Sequence, residues 1–114
     1  MDPHTVLALI HLIVIVPFLL YIGLARDKVP DSVFKGVFGL GLIVLFYQSY
    51  KAYTKIVGGK SAWVNYVHMF LIAPLLLIIG HYGKTTSRKY FEMLLLAAFA
   101  AGGYHGLTMA KTVI

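Results

Sequence analysis

The 114-residue chain is 60% hydrophobic and 12% charged, with a mean hydropathy of +0.83, an apolar excess that one small soluble core could not bury. The absence of cysteine excludes a disulfide framework, cysteine zinc sites and iron–sulfur clusters. The net charge of +6 is carried by Lys and Arg in connections and at helix ends, which points to lipid headgroups rather than nucleic acid.

The composition describes an all-α integral membrane protein, with room for about four spans of roughly 20 residues and no soluble domain. The opening MDPHTVLALI has an acid where a secretory signal carries basic residues, so it reads as a retained first helix. Residues 5–25 contain no charged side chain and form the first predicted span. The connection ARDKVPDSVFK follows, with Asp31 or Ser32 placed to cap the next helix. The second span is predicted over 33–57, with Lys51 and Lys55 snorkelling and Tyr47, Tyr50 and Tyr53 near the interface. Gly58 and Gly59 break the chain, and a third span over 61–83 brings Trp63 and Tyr66 to an aromatic belt. After KTTSRKYFE, with Thr86 or Ser87 as a cap, a fourth span occupies 90–110. Short connections make this a four-helix bundle with both termini on one side. Six basic residues (Arg26, Lys28, Lys35, Lys84, Arg88, Lys89) on the side of the first and third loops stand against four (Lys51, Lys55, Lys60, Lys111) on the other. That bias turns the termini away from the cytoplasm.

Shifting the chain by half its length, 57 residues, lays HLIVIVPFLLYIG (His11 to Gly23) over HMFLIAPLLLIIG (His68 to Gly80), with identities at seven of thirteen positions. A matched His and a matched mid-span Pro are not composition coincidences. They predict two tandem hairpins, 1–57 and 58–114, related by a pseudo-twofold axis along the membrane normal. Pro17 and Pro74 each remove a backbone donor and crowd the carbonyl four residues earlier, so both helices should bend at matching depths. Ala98, Gly102 and Gly106 form a small-residue stripe, partly echoed by Gly41 and Ser49, that suits close helix packing.

Counted from the first loop, His11 and Tyr47 stand at similar heights. His68, Tyr104 and His105 reach the same level in the second hairpin, with Gln48 aligned to His105. These six residues are expected to form an interhelical hydrogen-bonded layer. One alternative uses His11 and His68 as the two axial ligands of a b-type haem, with no other cofactor implied. Another is a small proton or ion pore through the histidines, without an intramembrane acid to support it. His4 and His81 fall near helix ends. No i, i+4 histidine pair, nucleophile elbow or phosphate-binding glycine loop is present, so no enzyme is expected. Lys84, Arg88 and Lys89 are placed to meet anionic headgroups or an acidic partner.

The tandem H-x5-P-x-L-L-x-I-G frames resemble small multi-spanning membrane proteins of large DNA viruses of algae and protists, over little more than 11–23 and 68–80. That resemblance implies residence in a virion's internal membrane or a host membrane and carries over no catalytic residue. The expected role is non-catalytic: a multi-pass structural or assembly subunit, in contact with lipid and with other membrane subunits or further copies of itself, and not with nucleic acid.

Overall fold

The computed structural model describes residues 3–113, and of His4, Thr112 and Val113 the backbone alone. No strand occurs among the described residues. Four helices are long and apolar enough to cross a membrane: Thr5–Lys28, Asp31–Val57, Trp63–Thr85 and Arg88–Lys111. All four overlap the predicted spans.

The first span consists of α1 (Pro3–Ile10), a π-helical turn (His11–Ile15), α2 (Val16–Ala25) and a 3-10 turn (Arg26–Lys28). The second is the uninterrupted α3 (Asp31–Val57). The third repeats the composite pattern of the first, with α4 (Trp63–Val67), a π turn (His68–Ile72), α5 (Ala73–Tyr82) and a 3-10 turn (Gly83–Thr85). The fourth is α6 (Arg88–Val113).

The π turns explain how two mid-span prolines are tolerated. An α-helix forces the proline ring against the carbonyl four residues earlier. Here each proline enters one of the first two positions of the α-helix that follows a widened turn, and the added residue in that turn relieves the crowding. The disturbance expected at matching depths takes the form of an inserted residue just before each proline.

The start of α3 differs from expectation. Neither Asp31 nor Ser32 caps α3; Pro30 occupies the cap position in extended conformation, without a side-chain bond. Its carbonyl accepts from the N–H groups of Val33 and Phe34 at 3.0 and 3.3 Å, while Asp31 adds a favourable charge in the first turn. Of the two expected caps of the fourth span, Ser87 immediately precedes α6 and its carbonyl accepts from the Tyr90 N–H at 3.0 Å, while Thr86 ties off the end of the third span. Its hydroxyl bonds the carbonyls of Gly83 (2.6 Å) and Ile79 (3.3 Å). At the far end of α3, Gly59 takes a positive φ of 74°. There Gly59 N–H donates to Ile56 and Lys60 N–H to Lys55, the paired bonds that close a Schellman turn.

The chain divides into two compact units. One comprises 1–26 and 91–114, pairing the first span with the fourth, and the other is 27–90, pairing the second with the third. In the second unit the spans are antiparallel: a Cβ at Gly80 would collide with the Phe38 backbone N and lie 2.6 Å from its Cα, and one at Gly41 would lie 3.1 Å from Leu77 N. In the first unit a Cβ at Gly23 would lie 2.7 Å from Leu95, and one at Gly102 would lie 3.6 Å from Val16. Gly23 and Gly80 are 57 positions apart, as are their partners Phe38 and Leu95. Burial recurs at the same spacing in Leu19 and Leu76, Ile22 and Ile79, and Phe34 and Phe91.

Candidate functional site

The six residues of the expected polar layer are distributed over the two units. His11, Tyr104 and His105 belong to the first, and Tyr47, Gln48 and His68 to the second. In the first unit the His11 and His105 rings lie 4.3 Å apart, tilted by 31°. Tyr104 meets His105 edge-on at 5.3 Å.

His11 and His68 behave alike. Each opens a π turn, and each places Nδ1 2.8 Å from the carbonyl oxygen four residues earlier, Leu7 and Val64 respectively. A carbonyl only accepts, so Nδ1 carries a proton and donates. Each ring therefore satisfies its donor within its own helix, and the expected interhelical bond through that donor is not made. Ser49 does the same through its hydroxyl, bonded to Leu45 O at 2.6 Å. Tyr47 is 56% exposed.

An interhelical hydrogen-bond chain in the second unit joins Gln48 of the expected layer to Asn65, a residue three before His68 that sequence reasoning passed over. Asn65 is only 5% exposed. Its Oδ1 accepts from the Lys55 ammonium at 2.7 Å, and its Nδ2 donates to Gln48 Oε1 at 2.6 Å. Lysine can only donate, which fixes the Asn65 amide orientation, and Asn65 in turn fixes that of Gln48. Three side chains from two spans thus form one directed chain. The available signal was compositional: Asn65 and Gln48 are the only Asn and the only Gln in the sequence. At position 8, where the shift of 57 residues places Asn65's counterpart, stands a buried Ala.

Among the expected packing residues, Ala98 is fully buried and Gly41 lies against Leu77. Gly102 sits at ordinary contact distance from Val16, and a methyl group at Gly106 would meet nothing within 4 Å. The closest approaches are at Gly80 and Gly23, which ended the repeated frame. Lys84, Arg88 and Lys89 are exposed, with Lys89 5.2 Å from the Tyr90 ring centre. No group of three metal-ligating side chains occurs among the described residues. The sequence matches no family model and no curated protein, and the fold matches no solved structure.

Proposed function

We propose that this chain is a non-catalytic, multi-pass membrane subunit built from a duplicated two-helix hairpin, supplying helical surface to a larger membrane assembly. The carrying observation is how little the chain covers of itself: 22, 17, 28 and 11% of the most apolar window of the four spans is buried. Exposed Phe46, Phe70, Leu96 and Phe99 lie along those spans, and the connections are too short to hold a catalytic domain. A surface of this kind meets acyl chains or other helices.

The duplication accounts for several recurrences together. Both π turns, both positive-φ helix ends at Arg26 and Gly83 and both following helix starts, at Asp31 and Arg88, fall 57 residues apart.

The cysteine-free sequence allows a direct test. Single cysteines in the connections at Lys28, Lys60 and Thr85 should react with a membrane-impermeant maleimide, Lys60 from the face opposite the other two. Cysteines at Ile43 and Leu96, exposed mid-span, should not react without detergent. The same membranes, solubilised mildly, should yield a particle heavier than one chain plus detergent. Rapid labelling at Ile43 and Leu96 in intact membranes would refute the spanning reading, and a strictly monomeric particle the assembly role.

A further inference from the structure

We infer that the glycine-turn end of the second unit is a binding site for an anionic phospholipid headgroup, with Lys51, Lys55 and Lys60 as its cations and Asn65 as the residue that positions Lys55. The inference builds on the spanning reading above.

Lys55 stands at the last turn of α3, and its ammonium is held by an amide that is itself buried and oriented by Gln48. A neutral amide fixes the position of the cation and leaves its charge uncancelled. One of three ammonium protons is used, so two remain for an acceptor. The only carboxylates in the unit are Asp27 and Asp31. Asp31 opens α3, 24 residues or about 36 Å from Lys55 at 1.5 Å per residue.

Two further cations belong to the same end. Lys51 lies one turn earlier, on the same helical face. Lys60 is brought in by the Schellman turn, its backbone N–H bonded to the Lys55 carbonyl at 2.7 Å. Around them Tyr53, Trp63 and Tyr66 are exposed, the amphipathic rings that settle at headgroup depth. An ordinary snorkelling lysine loses rotamer freedom when it meets a phosphate. Lys55 has already lost it to Asn65, and that pre-organisation selects a phosphate-bearing anion at this spot over diffuse attraction to the surface.

The test uses the full chain in nanodiscs of equal phosphatidylglycerol and phosphatidylcholine, then extraction at low detergent and mass-spectrometric counting of retained lipids. Wild type should retain phosphatidylglycerol preferentially. Lys55→Met should lower the phosphatidylglycerol to phosphatidylcholine ratio by roughly fivefold, the effect of one lysine charge near the surface. Asn65→Asp should lower it as far without loss of thermal stability, because the carboxylate keeps the shape, neutralises Lys55 internally and is satisfied by reversal of the Gln48 amide. A merely structural Asn65 would not give that combination.

Unchanged ratios in both variants would overturn the proposal, as would loss of phosphatidylglycerol to millimolar inorganic phosphate, which would make the site one for free anions. If Lys55→Met fails to fold, Asn65→Asp decides alone. Failure of the spanning reading appears separately, in the thiol-labelling pattern.

Discussion

Arg26 and Gly83 occupy equivalent positions, and the backbone there asks the same of both: φ 53° and ψ −118° at Arg26, φ 56° and ψ −126° at Gly83. Glycine adopts a positive φ without steric cost; a residue with a Cβ does so at about 1–3 kcal/mol. Arg26 recovers part of that cost through Nε–H, 3.4 Å from the Gly23 carbonyl, with its charge near the carbonyl end of the helix. Arg26→Gly should therefore be neutral or stabilising by up to about 1 kcal/mol. Gly83→Ala should destabilise by a comparable or larger amount, although the nearest side-chain atom, on Phe34, would sit at an unstrained 3.5 Å. Thermal unfolding in detergent orders the variants, and a destabilised Arg26→Gly beside an unaffected Gly83→Ala would contradict the account. Residue-level reading from sequence failed even for a local role at the start of α3, where neither Asp31 nor Ser32 caps. It missed Asn65, because a single amide near a span end breaks no pattern and acquires meaning only when Lys55 and Gln48 approach from another helix. The local Nδ1–H bonds of His11 and His68 could not be foreseen from spacing.

At the scale of helices, all four spans were legible because hydropathy and charge placement determine them without tertiary information. The π turns were not. The prolines announced a local disturbance, but whether a helix kinks or inserts a residue depends on which arrangement preserves its packing. Small residues show a similar limit. The conspicuous stripe of Ala98, Gly102 and Gly106 suggested the tightest contact, yet an i, i+4 stripe says nothing about whether a partner lies opposite. Gly80 does face one: its Cβ position is occupied by the Phe38 backbone, which cannot move aside as a side-chain tip can. Gly80→Ala must push the second and third spans apart and should cost about 1–3 kcal/mol. Gly106→Ala meets open space and should be neutral or stabilising by up to about 1 kcal/mol through helix propensity. Equal unfolding midpoints for the two variants would mean that the second and third spans are not in backbone contact.

For the molecule as a whole, the likeness at a shift of 57 residues runs from His11 to Gly23 and His68 to Gly80 and hardly beyond, because the second and fourth helices share few side chains at that shift. The pairing within each unit provides a test that sequence identity could not. In the first unit Gly102 faces Val16, its added Cβ lying 3.6 Å from a Val16 methyl. If the chain is a true duplication, the positions 57 residues away, Leu45 and Ala73, face each other in the second unit, just beyond the observed approach of Gly41 to Leu77. Paired cysteines at either location would then have Cβ atoms within reach of the roughly 3.5–4.5 Å that a disulfide requires. In the cysteine-free background, Val16→Cys with Gly102→Cys and Leu45→Cys with Ala73→Cys should both close under mild oxidation. Mass spectrometry of the proteolysed chain identifies each cross-linked peptide pair. Closure of the first pair without the second would leave the two units with different registers. The recurrence of π turns and helix ends would then reflect proline and turn chemistry acting separately in each half, rather than one packing arrangement used twice.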